Sequence, residues 1–355
     1  MPPSIEKTVA RIKETVESGA YYEAQQMYKT SYHRCKARQQ LLDAVTILQE
    51  GAITQLAHGQ STCGVELGLL LVEAYMSAAM PANADTVSRV LAIIRAFPLP
   101  TSTMAGAFLG QAAASSSSAQ GAAVDEYARL VAAAVKWAYK SVNASSVLLR
   151  SRMASGQAVK LIEGVTSLCR SGAAISSSRI HSAFASYLWK SFGVEGIGRA
   201  LLHFVRGDDH EEFARALHSC AEGGPKTEVD LWLLRALLQV LAAANSGNRM
   251  GQLAYATALH DAFISMSGSL ETPTGHFAKL MLQALEHVAV SARAHDVFLL
   301  VRERYKDGVL RRDDTLEPLL QRVEGTFFNA RHGGSAGGPL GDLFGNLFRT
   351  LTEAQ

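Results

Sequence analysis

The segment from Gly19 to Tyr28 constrains the fold of this chain more than any other stretch. Gly19 ends a run of apolar residues at helical spacing, and Tyr21 opens the next such run. Ala24 and Tyr28 follow at the spacing of a helix. A glycine permits a tight turn, a small residue lets two helices approach, and an aromatic residue fills the groove between them. The segment therefore predicts the turn of an antiparallel helix hairpin.

Composition extends this prediction to the whole chain. Of the 355 residues, 48% are hydrophobic, with much Ala and Leu, and only 7% are aromatic. Ala and Leu favour helices, and no proline lies between Pro100 and Pro225. No segment shows the alternation that predicts a strand, although one short hairpin within residues 265–274 would escape this test. We predict an all-α fold, a right-handed α-solenoid of tetratricopeptide-like antiparallel helix pairs, a class that mostly binds other proteins.

The spacing of apolar residues also predicts individual helices. The first begins near Ser4, and the sixth begins near Val124. The other predicted helices cover residues 20–35, 39–57, 62–80, 83–97, 179–192, 196–205, 210–221, 226–244, 249–267, 274–291, 295–305 and 316–328.

The chain divides into three predicted regions. Residues 1–150 form an N-terminal helical-repeat half, residues 151–330 form a C-terminal half, and residues 331–355 form a Gly-rich linker with a short tail helix. Residues 99–122 are rich in Ala, Ser, Gly and Gln and are predicted to include a low-complexity loop. A second soft region with a weak helix pattern covers residues 141–178.

Charge and cysteine content exclude several classes of protein. The formal net charge of +2 argues against an electrostatic surface for nucleic acid. The four cysteines are scattered without a CxxC pair, so neither a disulfide framework nor a zinc site is predicted. The N-terminus has no apolar signal core, and no run approaches the ~20 apolar residues of a membrane span. These features predict a cytosolic protein without stable membrane insertion.

The chain lacks the sequence motifs of common enzyme classes. Its eleven histidines include no HExxH motif, and no GxxxxGK[ST] motif is present to bind a nucleotide. Residues Gly333–Gly337 fit GxSxG, but a nucleophile elbow requires a strand before it and a helix after it, whereas this stretch is a Gly-rich linker. We therefore predict that the chain is not an enzyme and has no catalytic residues, no metal and no cofactor.

A set of short motifs occurs in a specific order along the chain. The stretch from Val16 to Thr30 is similar to the signature Gly-Asp-Tyr-Tyr-Glu-Ala-His-Gln, with Ala20 in place of Asp and Gln25 in place of His. On this stretch and the others given below, the chain resembles the Golgi to ER traffic protein 4 family. Residues 99–122 and 142–178 do not match well and look like insertions. The other similar stretches are Gly51-Ala52, His58-Gly59-Gln60, Glu66 to Glu73, Ala134 to Trp137, Arg179-Ile180-His181, Leu188-Trp189-Lys190, Thr227 to Asp230, Leu310 to Asp313 and Pro339 to Leu351.

The resemblance implies an adaptor that acts in the delivery of tail-anchored membrane proteins to the endoplasmic reticulum. The N-terminal half is similar to the surface that docks the pathway's dimeric targeting ATPase. The C-terminal half is similar to the part that binds a ubiquitin-like protein, and in animals a larger Bag-domain protein joins the assembly. The alternative is a tetratricopeptide-like adaptor of another multisubunit complex, although no carboxylate clamp of Lys and Asn is evident.

Eight residues are candidates for the ATPase-facing surface. Four of them share one face of the second helix. Tyr22 and Tyr28 lie off this face and fit either packing or contact. Arg34 and Arg38 belong to a basic cluster that either steers an acidic partner or is a solvated helix end. Glu66 matches an acidic position of the family, and acids are also favourable at any helix N-terminus. The eight candidates are Tyr21, Gln25, Lys29, Tyr32, Arg34, Arg38, Glu66 and Glu73.

The tail carries an amphipathic pattern. Its apolar residues recur at i, i+3, i+4, i+7 and i+8, which is the spacing of one face of a short helix. Docking on the array, binding of a partner groove and contact with a membrane are three alternatives, of which the single base Arg349 disfavours the last. The candidate partner-binding residues of the tail are Leu340, Leu343, Phe344, Leu347 and Phe348.

Overall fold

The computed structural model of the chain describes residues 5–100, 114–152 and 156–329. Within these ranges the chain is predominantly helical and contains no strand, so the predicted all-α class is confirmed. The chain forms two compact units, Met1–Asp209 and His210–Gln355. In the part of the chain that the structure describes, no helix is both long enough and apolar enough to span a membrane.

Short turns join most of the helices. A 3-10 turn at Gly193–Gly196 precedes the last helix of the first unit. The helices of the first unit are α1 (Ile5–Glu17), α2 (Tyr21–Ala37), α3 (Leu41–Ala57), α4 (Ser61–Ser77), α5 (Ala84–Arg95), α6 (Ala114–Arg152), α7 (Gly156–Phe192) and α8 (Ile197–Phe204). Those of the second unit are α9 (His210–Glu222), α10 (Val229–Ala242), α11 (Arg249–Ser267), α12 (Pro273–Glu286), α13 (Ala294–Arg304) and α14 (Leu316–Phe328).

The turns that end the first four helices share one geometry. A residue with positive φ stands at Gly19 (85°), Gln39 (61°), Gly59 (72°) and Ala79 (50°), so the turn repeats every 20 residues. Each of these residues donates its N–H to the carbonyl three residues earlier, which satisfies an orphan carbonyl at the helix end. The hairpin turn predicted at Gly19 is confirmed, and glycine suits this left-handed position best.

Alternate helices of the first unit stack on one another. α1 contacts α3, α2 contacts α4 and α3 contacts α5, in addition to the contacts between consecutive helices α1 to α5. Gly68 of α4 lies against Leu130 of α6, and further along the ring of Tyr75 lies 4.9 Å from that of Trp137. Residue numbers rise together along both helices, so α4 and α6 are parallel. Antiparallel neighbours with parallel alternate helices are the arrangement of an α-solenoid.

The close approach of α2 and α3 depends on a glycine. Tyr28 is fully buried, and a Cβ atom at Gly51 would lie only 2.8 Å from Tyr28 Cγ. Interiors are close-packed, so a larger residue at this position would displace the tyrosine ring. Tyr22 is instead 72% exposed. Of the two tyrosines that fitted either packing or contact, only Tyr28 is a core residue.

Two segments that we predicted to be irregular contain helix in the residues that the structure describes. α6 begins at Ala114, inside the predicted loop of residues 99–122, and α6 and α7 together cover most of residues 141–178. The Ser and Gly content suggested loops, but the segments are also rich in Ala and no proline lies between Pro100 and Pro225, and α6 packs against α7. Residues 101–113 and 153–155 lie outside the described ranges.

The boundary between the compact units differs from the predicted division at residue 150. That residue lies within α6, which packs against α7 in the same unit. The first unit therefore extends to Asp209 and includes both long helices. In the second unit, α10 is buried on nearly every side because α9, α11, α12 and α14 all contact it.

Candidate protein-binding surface

Three polar side chains form a cluster where α2 passes α4. Glu66 lies in the second turn of α4, and its Oε2 accepts hydrogen bonds from Gln25 Nε2 and Lys29 Nζ, each at 2.8 Å. Gln25 and Lys29 are one helical turn apart on α2, so both donors reach the same carboxylate. The side chains of Lys29 and Glu66 are 28% and 42% exposed. The cluster is a half-exposed ion pair held in a fixed position.

Hydrogen bonding keeps Glu66 in its charged form. The hydrogen bond from Lys29 is the main cause that lowers the pKa of Glu66 below its usual 4.5, and partial burial opposes it. The charge of Lys29, the hydrogen bond from Gln25 and the charge of Arg129 lower this pKa further. At neutral pH the cluster therefore presents a negative charge beside a positive one.

Tyr21 lies one turn before Gln25 on α2. Its ring centroid is 6.0 Å from that of His58, and its backbone carbonyl accepts a hydrogen bond from Gln55 Nε2 at 2.8 Å. Gln55 is fully buried, whereas Tyr21 is half-buried. The start of α2 is thus anchored to α3, and the Tyr21 ring lies at the edge of the surface.

Two of the predicted contact residues are buried. Tyr32 is 1% exposed and Gln25 is 2% exposed. The physical reason is that α2 packs against α1, α3 and α4, so much more of its surface is covered than a single core-facing stripe. The prediction that Tyr32 offers its side chain to a partner is therefore wrong. Gln25 holds Glu66 in position instead of forming the surface itself.

Arg34, Arg38 and Glu73 are exposed. No hydrogen bond or ion pair connects these three side chains to Glu66 in the described part of the chain. Nearby, Lys36 Nζ lies 5.7 Å from the centroid of the Tyr32 ring. Contact of Arg34, Arg38 and Glu73 with a partner stays a prediction.

Sequence reasoning missed Arg129 of α6. This residue pairs with Glu126 at 2.8 Å, and its charge contributes to the low pKa of Glu66. The two positions are 63 residues apart, and only the parallel stacking of α4 on α6 brings them close. No local pattern in the sequence signals such a contact.

The described residues contain no group of three or more His, Cys, Asp and Glu side chains placed to hold a metal ion. Two half-buried histidines, His181 and His203, form a hydrogen bond in which their Nδ1 atoms are 2.9 Å apart. Burial lowers the pKa of His181 to about 4 and that of His203 to about 3, so the pair forms a neutral hydrogen bond within the first unit. The GxSxG stretch Gly333–Gly337 and all five tail candidates lie outside the described residues.

The stacked helices and the charged cluster define a helical-repeat protein with a polar surface suited to binding another protein. The family model described as Golgi to ER traffic protein 4 matches residues 38–348. The chain belongs to the Golgi to ER traffic protein 4 family.

Individual relatives are similar over nearly the whole chain. Protein GET4 of Arabidopsis thaliana is 24% identical, over 98% of this chain and 97% of that protein. The Golgi to ER traffic protein 4 homolog of Homo sapiens is 25% identical, over 97% of this chain and 86% of that protein. The crystal structure of C. therm. Get4 has a TM-score of 0.65 at 18% identity and covers 98% of this chain and 96% of that chain, which supports the fold.

Proposed function

We propose that the chain is a non-enzymatic adaptor in the delivery of tail-anchored membrane proteins to the endoplasmic reticulum. It acts in the cytosol and bridges a dimeric targeting ATPase and a ubiquitin-like protein, and in animals a Bag-domain protein joins the assembly. Membership of the Golgi to ER traffic protein 4 family supports this pathway. The ATPase docks on the first unit, and the ubiquitin-like protein binds C-terminal to it.

The observation that carries the proposal is the ion pair between Lys29 and Glu66. Because both side chains are partly exposed, a partner can contact them without a large rearrangement of the helices. A basic group of the ATPase binds Glu66, and Gln25 keeps the carboxylate in place while it does so. The adaptor favours one nucleotide state of the ATPase only as far as its affinities for the states differ.

Co-purification of the intact chain with each partner from the same organism tests this function. We expect both partners to be retained by the wild-type chain. Glu66→Lys should lose most of the ATPase and keep the ubiquitin-like protein, because the substitution reverses the charge on the first unit alone. Failure of the wild-type chain to retain either partner would refute the proposed function.

A further inference from the structure

α6 carries a row of basic residues on its exposed side. Arg129, Lys136 and Lys140 recur at intervals of seven and four residues, so they lie along one side of the helix. Tyr139 is 56% exposed in the same arc. Trp137 and the other core residues of α6 point to the opposite side.

An acidic row on α4 runs beside this basic row. Glu66 and Glu73 are seven residues apart and lie on the outer side of α4. α4 and α6 are parallel, and the contact between Tyr75 and Trp137 fixes their register. The two rows therefore extend in the same direction as one surface with an acidic side and a basic side.

Within the part of the chain that the structure describes, the fold does not use the two lysines of this surface. Arg129 is paired with Glu126, but among the described residues neither Lys136 nor Lys140 forms an ion pair or a side-chain hydrogen bond. Tyr139 is exposed next to them, whereas Tyr127 of the same helix is buried. An exposed tyrosine is a common anchor of protein interfaces, and unpaired cations beside it suit carboxylates of a partner.

The Glu66 cluster is too small to be a complete interface. A stable interface covers about 800 Å² on each partner and roughly 20–30 residues. A partner that docks on the cluster therefore contacts further surface, and α6, the parallel neighbour of α4, lies within reach of it. The two lysines give that neighbour a positive charge.

We propose that the partner docked on Glu66 extends onto α6, where Lys136, Tyr139 and Lys140 bind an acidic segment of it. This inference rests on the proposed function, in which that partner is the targeting ATPase. A protein can place a base against α4 and an acid against α6. A nucleic acid or an anionic lipid surface would instead be repelled by Glu66 and Glu73.

Calorimetric titration of the intact chain with the targeting ATPase tests the inference. We expect Tyr139→Ala and the double variant Lys136→Glu/Lys140→Glu each to weaken binding by about tenfold or more. The double variant should also reduce the salt dependence of the affinity, because it removes cations from the interface. Lys279→Glu, at an exposed lysine on α12, is the matched control and should leave the affinity unchanged.

The outcomes separate this inference from the proposed function. If Glu66→Lys weakens ATPase binding and the α6 variants do not, the inference is wrong and the proposed function stands. If the wild-type chain does not bind the ATPase, both are wrong. If the double variant alters only the binding of RNA or of vesicles that contain phosphatidylserine, the row is a polyanion site and the inference is overturned.

Discussion

Each unit holds a charged cluster between packed helices, but the two clusters differ in exposure. In the first unit, Lys29 and Glu66 remain open to solvent. In the second unit, the side chain of Glu324 is only 4% exposed and accepts hydrogen bonds from His295 Nε2 and Arg302 Nη1, each at 2.8 Å. Water and a partner protein can reach the first carboxylate, whereas side chains of the packed helices satisfy the second.

This difference in exposure separates a charge that is available for binding from a charge that contributes to folding. An exposed ion pair contributes little to stability because solvent screens it. A buried charge that loses one partner is left without compensation, and its desolvation then opposes folding. Replacing Glu66 should therefore change affinity more than stability, and replacing Glu324 should do the reverse.

The largest contrast in stability is expected within α2 itself. Tyr28→Ala should lower the free energy of unfolding by about 3–5 kcal/mol, since it empties a fully buried site. Tyr22→Ala should change it by no more than about 0.5 kcal/mol because the ring is exposed. Chemical denaturation followed by far-UV circular dichroism measures both. Equal losses would contradict the assignment of the two tyrosines.

Removal of the buried carboxylate should give the next largest loss. Glu324→Ala removes the buried partner of Arg302 and His295 and leaves Arg302 with its more exposed partner Glu317, and it should cost about 3 kcal/mol in the unfolding of the second unit. Glu303→Ala is the matched control, because Glu303 is an exposed acid whose carboxylate pairs with Lys306 at 3.5 Å. A Glu324→Ala protein as stable as the control would remove the contrast between the clusters.

The exposed carboxylate should have the smallest effect on stability, and that effect should depend on pH. Folding lowers the pKa of Glu66, so the ionised group stabilises the folded state above the usual pKa of 4.5 and loses this effect as pH falls through the lower folded value. The difference between wild type and Glu66→Gln should stay below about 1 kcal/mol at neutral pH.

Urea denaturation at a series of pH values measures this difference. It should disappear in acid and shrink in high salt, because the pair is exposed and screened. A difference that grows as pH falls would show that Glu66 is destabilised by its surroundings and would contradict the described hydrogen bonds.

Much of the fold follows from local patterns. The apolar spacing predicts α11 and α14 with the bounds that the structure has, because each combines a regular pattern with clear ends. It misses the first residues of α6 and most of residues 141–178, where Ser and Gly obscure helices that packing stabilises.

The candidate surface was less predictable than the fold. Residues such as Gln25 and Glu66 were named individually, but the bond between them joins positions 41 residues apart. Tyr32 was misplaced because helical spacing shows which residues share a face and not how many helices cover it. The parallel register of α4 and α6 is a long-range contact that spacing alone does not encode.

The claim that one chain holds two partners at once is tested most directly by the mass of the assembled complex. The ATPase is added to a preformed complex of the chain with the ubiquitin-like protein, and light scattering after gel filtration gives the composition. We predict one species that contains all three proteins, and only the complex with the ubiquitin-like protein when Glu66→Lys replaces the wild type. Displacement of one partner by the other would contradict the bridging role.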